Sequence, residues 1–179
     1  MHFWKWLQVD ERAVPPDHPD SNQRMIRETL FSTGVKSSFG QFFPIPSEKL
    51  STGPQSVIQA ANSLWLKETL LPGFSLVFLG LGGDGHTASL FPGTPWEDPA
   101  ADPYVFFSNK SLSIERFSLS LQTLLNAEKL VFLVTGDQKR EILKVIIAGQ
   151  GSQLPSGFLA GKHKDCEFWL DHEASKALK

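Results

Sequence analysis

The sequence contains a single cysteine, Cys166, among its 179 residues, so an internal disulfide is excluded and a reducing compartment is expected. It has no apolar run of membrane-spanning length, and its opening residues become acidic too early for a signal peptide. The net charge of −2 gives no reason to expect nucleic acid as a partner. No repeat, heptad or low-complexity segment is present. We therefore expect one cytoplasmic domain over residues 1–179, with no membrane partner.

The most informative stretch is residues 74–95, FSLVFLGLGGDGHTASLFPGTP. It begins with an apolar run that is typical of a strand buried on both faces of a parallel sheet. Four glycines follow within six positions, with Asp84 and His86 among them. Open α/β sheets bind ligands at the carboxyl ends of their strands. The stretch therefore predicts a ligand site that contains Asp84 and His86.

Residues 87–91 are predicted to form a short helical turn, ended by Pro92, whose free N–H groups favour an anion. Two other interpretations of this region remain open. A G-x-G-x-x-G spacing begins at Gly80, but the dinucleotide motif also needs a long helix and an acidic residue about 20 positions later. Here Pro92 closes the helix early and residues 104–107 are apolar, which disfavours nicotinamide and flavin. The second alternative is a purely structural turn whose histidine caps a neighbouring group.

Three cations elsewhere in the chain are candidates for binding an anion. Arg12 ends the charged triplet DER, and its guanidinium can hold a phosphate or carboxylate through two hydrogen bonds. The alternative for this triplet is a solvated turn. Arg116 begins an alternating strand, where an ordinary edge-strand cation is the competing interpretation. Lys139 falls in the first turn of a predicted helix, where a cation is unfavourable unless an anion lies nearby.

Hydrophobic periodicity and turn residues predict alternating strands and helices. The predicted strands are residues 3–9, 74–79, a half-exposed 116–121, 130–135 and 167–170, with 76–79 and 131–134 central in a parallel sheet. The predicted helices follow a capping box of Asp20 and Gln23, span residues 56–70, follow Gly136, and follow an Asp171 cap up to Leu178. Their predicted inward faces are Met25, Ile26, Thr29 and Leu30; Val57, Ile58, Ala61, Leu64 and Trp65; and Ile142, Leu143, Ile146 and Ile147. Residues 34–46 are predicted to be a loop.

The motifs also resemble those of a known family. DGHTASLFPG, residues 84–93, is similar to the signature of 6-phosphogluconolactonases, the hydrolases of the oxidative pentose phosphate pathway. Three more blocks in the family's order, DERAVPPDHPDSN, VTGDQK and FWLDHEAS, extend the resemblance from Trp4 to the end of the chain. The resemblance implies an α/β fold of the sugar-phosphate isomerase/lactonase type. Such a fold is Rossmann-like, with an open, mainly parallel, twisted sheet and helices on both faces.

A lactonase needs a water nucleophile, a base to take its proton, and positive charge near the carbonyl oxygen. His86 is the expected base, because histidine is the natural base near neutral pH. Asp84 is expected to orient His86 or a substrate hydroxyl, and Arg12 or the glycine N–H groups to stabilise the oxyanion. A sugar phosphate is the expected ligand, and the chemistry requires neither a metal nor a cofactor. The expected substrate-binding residues are Gly82, Gly83, Gly85, Arg116 and Lys139.

The sequence departs from the family pattern at its front. Members usually begin with a further strand, a glycine-serine-threonine phosphate loop and a helix, and nothing here matches that loop. We therefore expect a lactonase-like domain that is incomplete at its N terminus, with weakened activity and with either poor solubility or self-association through the uncovered side. Two other functions remain open. One is a sugar-phosphate deaminase or isomerase, which the TASLFPG continuation disfavours, and the other is a non-catalytic remnant that binds sugar phosphates or a partner chain.

Overall fold

The structure is a computed structural model that describes residues 4–31, 40–68, 73–108 and 113–178. The chain divides into two compact units, of which the first comprises Met1–Leu70 and Asp102–Ser118. The second unit comprises Leu71–Ala101 and Leu119–Lys179. Strands and parallel pairing flanked by helices confirm the predicted α/β class. The single domain over residues 1–179 stays a prediction, and Phe3, residues 34–39 and residues 69–70 of the predicted elements lie outside the described residues.

In chain order, the strands of the described residues are β1 (Lys5–Leu7), β2 (Asp10–Arg12), β3 (Gln41–Phe43), β4 (Val77–Gly80), β5 (Tyr104–Phe107), β6 (Arg116–Leu119), β7 (Leu130–Val134) and β8 (Cys166–Leu170). The α-helices are α1 (Asn22–Leu30), α2 (Pro54–Glu68), α3 (Leu121–Leu125), α4 (Arg140–Ile147), α5 (Pro155–Lys162) and α6 (His172–Ser175). Three 3₁₀ turns lie at Ser47–Thr52, Asp137–Lys139 and Lys176–Leu178. Within the described ranges, no helix combines the length and the apolar character that crossing a bilayer requires.

The first unit contains a parallel pair, β1 and β3, and a ladder of order β2-β6-β5 in which β2 and β6 are antiparallel. The predicted loop at residues 34–46 is wrong at Gln41–Phe43, which form β3, whereas residues 44–46 have no regular structure, as predicted. The strand forms where Gly40, at φ 92°, allows the Gln41 N–H to donate to the Trp4 carbonyl at 2.9 Å. A Cβ at residue 40 would overlap this carbonyl, so the close approach of the two backbones requires glycine.

Helix α2 packs against the first unit through the face that the sequence predicted. Val57, Ile58, Ala61 and Trp65 are buried along it. Asn62, on the same face, donates to the Tyr104 carbonyl at 3.3 Å and accepts from its N–H at 2.8 Å. This exchange of hydrogen bonds satisfies a buried amide and fixes α2 to strand β5.

Helix α1 differs from its prediction in both its cap and its face. The N-cap is Ser21, whose side chain accepts from the Arg24 N–H at 3.2 Å, and not Asp20. The predicted inward residues Met25, Thr29 and Leu30 are exposed. The buried residue of α1 is Gln23 in its first turn, because the helix is fixed to the unit at its N-terminal end.

The second unit contains a three-stranded parallel sheet of order β4-β7-β8. Strand β7 is central, as predicted, and its Val131 and Phe132 are fully buried. Strand β4 lies at an edge of this described sheet, so the prediction that it is central is wrong. Its Val77 and Leu79 are buried nevertheless. An apolar run predicts side-chain burial, and burial does not require a neighbouring strand on each side.

Two other elements deviate from the predicted pattern. Strand β6 ends at Leu119, where residues 120–121 begin α3, and it is buried rather than half-exposed because Ser118 is buried together with its apolar neighbours. Helix α4 buries Leu143 and Ile146 as predicted but leaves Ile147 exposed. The cap of α6 is confirmed, since the Asp171 carboxylate accepts from the Ala174 N–H at 2.7 Å.

Candidate active site

Strand β4 ends in a glycine-rich turn, residues 80–86, which we call the glycine turn. The Gly82 N–H donates to the His86 carbonyl at 2.8 Å, and the Gly85 N–H donates to the Gly82 carbonyl at 3.1 Å. Gly85 has a φ of 84°, which favours glycine. A Cβ on Gly82 would overlap the His86 ring and would lie 2.7 Å from Asp84 Oδ1. The glycines therefore let the chain fold back until these two side chains meet.

Asp84 and His86 form a close pair at the tip of the glycine turn. Asp84 Oδ1 lies 2.6 Å from His86 Nδ1 and also accepts from the His86 N–H at 3.1 Å. Partial burial acts to raise the pKa of Asp84, but the hydrogen bonds from the His86 N–H and ring outweigh it, and the pKa is lowered. An ionised carboxylate only accepts, so Nδ1 carries the proton and the neutral ring keeps its lone pair on Nε2.

The His86 ring is held from a second side by Phe91, whose ring centroid lies 4.3 Å away. Residues 87–91 do not form the predicted helical turn. Instead, Thr87 and Leu90 form an isolated antiparallel bridge, and Ala88 between them has a φ of 50°. This tight turn buries Leu90 completely, which a helix start at the surface would not do. The prediction that the N–H groups of a helix at residues 87–91 bind an anion is therefore wrong.

Hydrogen bonds from the beginning of α5 hold the glycine turn in place. The Gly85 carbonyl accepts from both the N–H and the hydroxyl of Ser156, at 3.1 and 2.7 Å. Ser156 is fully buried, and a Cβ on Gly85 would lie 2.7 Å from the Leu154 side chain. Thr87 Oγ1 donates to the Gly80 carbonyl at 2.8 Å and closes the turn at its other end. Both carbonyls are thus fixed, one at each end of the glycine turn, and the Gly85 carbonyl belongs to the peptide that leads into His86.

Lys139 was predicted in the first turn of a helix, and it lies in the 3₁₀ turn that precedes α4, one position before that helix begins. Gly136, before this turn, has its N–H bound to Asp171 at 2.9 Å, and the hydrogen bonds from Ala174 and Gly136 lower the pKa of Asp171. A Cβ built on Gly83 would lie 3.9 Å from Lys139 Nζ. In the described part of the chain, this ammonium has no carboxylate within ion-pair distance. The second unit therefore brings Lys139 to the glycine turn with its charge unpaired.

Arg12 and Arg116, which we call the arginine pair, lie in the first unit on antiparallel strands. The register of β2 and β6 places them directly opposite each other. Arg12 donates to the Asn22 side-chain oxygen, and Arg116 donates to the Ile114 carbonyl at 2.7 Å. Burial first, and then the charge of Arg12, lower the pKa of Arg116. Like charges opposite each other destabilise a ladder, so this arrangement favours a bound anion.

No group of three or more His, Cys, Asp or Glu side chains within the four described ranges is arranged to hold a metal ion. Of the eight predicted site residues, the structure brings six together in the second unit and two together in the first. The six are Gly82, Gly83, Asp84, Gly85, His86 and Lys139, and the two are Arg12 and Arg116.

Comparison with known proteins identifies the family of this chain. The family model of glucosamine-6-phosphate isomerases/6-phosphogluconolactonase matches residues 1–169. The chain belongs to this family. It is 33% identical to a 6-phosphogluconolactonase of Synechocystis sp. over 98% of this chain and 75% of that protein. It is 30% identical to the 6-phosphogluconolactonase of Rattus norvegicus over 98% of this chain and 69% of that protein.

A solved structure supports membership of the same family. The 6-phosphogluconolactonase from Trypanosoma brucei matches with a TM-score of 0.75 and 28% sequence identity, over 97% of this chain and 73% of that one. Because the match extends over nearly the whole of this chain, it covers the segments that carry both groups of predicted site residues. The family resemblance noted from the sequence is thereby confirmed.

Two residues that support the site in this family member were missed by the sequence analysis. Glu11, the middle residue of DER, is a fully buried acceptor, and its signal was the downstream Ser21-Asn22 pair in the same sequence block. Ser156 had no signal, because α5 begins at a Leu-Pro pair that carries no recognisable pattern of its own. Its role appears only once the Gly85 carbonyl is placed against it.

Proposed function

We propose that this chain hydrolyses 6-phospho-D-glucono-1,5-lactone to 6-phosphogluconate, a step of the oxidative pentose phosphate pathway. The observation that carries the proposal is the Asp84–His86 pair, with 2.6 Å between Oδ1 and Nδ1, on a turn that also faces Lys139. Family membership supports the same reaction, since the relatives described above are 6-phosphogluconolactonases. Sugar phosphates are accordingly the proposed class of substrate.

In the proposed reaction, His86 Nε2 takes a proton from a water molecule as the water oxygen attacks the lactone carbonyl carbon. The carbonyl oxygen becomes an oxyanion in the resulting tetrahedral intermediate. Collapse of this intermediate breaks the bond between the carbonyl carbon and the ring oxygen, and His86 returns the proton to that oxygen. Water is thereby added across the ester bond, and the products are a free hydroxyl group and a carboxylic acid, which releases its proton to solvent and becomes the carboxylate. Asp84, whose pKa is lowered, stays ionised and stabilises the imidazolium formed in the first step.

The Gly83 N–H is the best candidate to stabilise the oxyanion. The N–H groups of Gly82 and Gly85 are used inside the glycine turn, whereas that of Gly83 has no partner among the described residues. A backbone donor fixed in advance stabilises developing charge without reorganisation. Lys139, beside Gly83 and without a carboxylate partner, is proposed to bind the 6-phosphate. Roles for Arg12 and Arg116 in the same reaction stay predictions from the sequence.

The proposal is tested by following lactone hydrolysis through 6-phosphogluconate formation, corrected for spontaneous opening of the lactone. We expect His86→Ala to reduce turnover by about 10² to 10⁴ while product affinity stays within a few-fold. His172→Ala, which changes an exposed histidine in α6, is the matched control and should behave like the wild type. Equal loss of binding and turnover would make His86 a binding residue instead.

The same preparation separates this function from its alternatives. Ammonia release from glucosamine 6-phosphate would indicate a deaminase, and tight binding of 6-phosphogluconate without turnover would indicate a non-catalytic binding protein. Neither alternative is favoured by an observation on the glycine turn, because its continuation TASLFPG is the lactonase pattern. Self-association and a cytoplasmic location stay predictions, and light scattering tests the first of them.

A further inference from the structure

Glu11 is a fully buried acid that the proposed reaction does not use. It lies in the middle of strand β2, directly before Arg12. A buried carboxylate is costly unless hydrogen bonds compensate for the lost water. Here five donors surround it, so its charge is compensated by the fold itself.

The two oxygens of Glu11 are bound by donors from different parts of the first unit. Oε1 accepts from the backbone N–H groups of Arg12 and Asn22, at 2.8 and 2.7 Å. Oε2 accepts from the Gln23 N–H at 2.7 Å, from Gln8 Nε2 at 2.9 Å and from Ser21 Oγ at 3.0 Å. One carboxylate therefore joins strand β2 to the first turn of helix α1.

This junction determines where the Arg12 side chain lies. The Asn22 backbone is fixed by Glu11, and Asn22 Nδ2 donates to the carbonyl and the carboxylate of Asp10, at 3.1 and 3.2 Å. The amide oxygen of Asn22 consequently faces Arg12 and accepts from its guanidinium. Because an amide carries no net charge, this contact holds Arg12 in place and does not neutralise its positive charge.

We propose that Glu11 is a positioning residue for Arg12. By fixing Asn22 against strand β2, it holds the Arg12 guanidinium opposite Arg116, where an anionic group of the substrate is bound. The inference rests on the proposed function in one respect, the binding of substrate by Arg12. Its structural content, a guanidinium held by the neutral amide of Asn22, is independent of the reaction.

Glu11→Gln is the most direct test, since it keeps the size of the side chain. The NH₂ group of the new amide replaces either Oε1 or Oε2 of Glu11. In the first position it faces the backbone N–H groups of Arg12 and Asn22, and in the second it faces that of Gln23. None of these N–H groups can accept a hydrogen bond. The junction must therefore loosen. Asn22→Ala is the second variant and keeps the backbone donor to Glu11 while removing the side-chain contacts to Arg12 and Asp10. Ser21→Ala is the matched control, because it removes one donor to Glu11 and the α1 cap without touching Arg12.

The first readout is the affinity for 6-phosphogluconate by calorimetry, with urea unfolding to record stability. We expect Arg12→Ala to weaken binding by about tenfold or more, and Glu11→Gln and Asn22→Ala by about three- to tenfold. The double variant of Glu11→Gln with Arg12→Ala should bind no more weakly than Arg12→Ala alone. Ser21→Ala should lose stability and keep its affinity. A double variant whose loss equals the product of the two single losses overturns the inference, because Glu11 then acts independently of Arg12.

The second readout is the order of the Arg12 side chain, from ¹⁵N relaxation of its Nε–H, assigned by its disappearance in Arg12→Lys. We expect an ordered guanidinium in the wild type and Ser21→Ala, and a mobile one in Glu11→Gln and Asn22→Ala. Unchanged order in both of the latter overturns the inference. If Arg12→Ala binds 6-phosphogluconate normally, the proposed role of Arg12 fails, yet relaxation still decides whether Glu11 positions it. If the wild type hydrolyses no lactone, the proposed function fails and the relaxation result is unaffected.

Discussion

The glycine turn and the arginine pair place charged side chains in two different ways. In the glycine turn, Asp84 and His86 are two positions apart, and backbone hydrogen bonds within the turn bring them together. In the arginine pair, Arg12 and Arg116 are far apart in sequence, and the register of two antiparallel strands places them opposite each other. A local constellation is therefore visible as a motif. A group of side chains assembled from distant strands appears in the sequence only as separate cations, and each cation has an ordinary structural explanation.

The sharpest test of the local constellation is Gly82→Ala, compared with Gly80→Ala. A Cβ at residue 82 would overlap the His86 ring, whereas one at residue 80 meets no atom within 4 Å. We expect Gly82→Ala to displace His86 and lower kcat on the order of 10²-fold, because small misplacements of catalytic groups are costly. Gly80→Ala should retain most activity. Equal activity in the two variants would mean that the glycines of the turn are not needed for the Asp84–His86 geometry.

The next largest effect is expected at Lys139. This residue lies beside the glycine turn but belongs to a different segment of the chain, so it tests whether a distant cation contributes to the local site. Lys139→Ala should weaken 6-phosphogluconate binding by about 10- to 150-fold, the usual contribution of a charge-assisted hydrogen bond. Lys144→Ala is the matched control, because that lysine is exposed on α4 and pairs with Glu141 at 3.2 Å. Normal binding by Lys139→Ala would place the phosphate site elsewhere.

A smaller effect on binding is expected at Arg116. Its guanidinium is already bound to the Ile114 carbonyl at 2.7 Å, so fewer of its donors are available to a ligand. Arg116→Ala should weaken 6-phosphogluconate binding by about tenfold, with kcat little changed. Arg24→Ala, which removes an exposed arginine paired with Glu28 at 2.8 Å, serves as the control. If Arg116→Ala binds product like this control, the arginine pair serves the fold and the comparison fails.

The smallest expected effect is on stability and concerns Asp84. Its folded pKa lies below the ordinary value of 3.8, so ionised Asp84 contributes stability above that pH. The contribution disappears as the pH falls through the lower folded pKa. The unfolding free energies of wild type and Asp84→Asn should differ by a constant amount above about pH 5 and converge as the pH falls from there through the folded pKa. The difference is expected to be modest, because the Asp84 side chain is 54% exposed. A difference that grows towards low pH would contradict the assigned sign.

Helices, strands and caps were predictable where the residues that indicate the element lie within that element. Helix α2, strand β7 and the Asp171 cap were predicted because periodicity, an apolar run and an acidic N-cap are local properties. The loop prediction for residues 34–46 failed at residues 41–43 because glycine and proline flank a three-residue strand that pairs with the distant β1. The helical turn at residues 87–91 failed because burial of Leu90 requires a tighter turn than its residues suggest.

The sequence by itself determined the α/β class, the family and the pairing of an acid with an imidazole on a glycine turn, because each depends on residues that are close in the chain. Tertiary structure alone decided that Ser156 holds the Gly85 carbonyl and that Lys139 reaches Gly83. It also decided that Glu11 is an internal acceptor and not part of a solvated turn. The physical reason is the same in each case. Whether a carboxylate, hydroxyl or ammonium is satisfied depends on which backbone groups the fold brings to it, and those groups belong to distant segments.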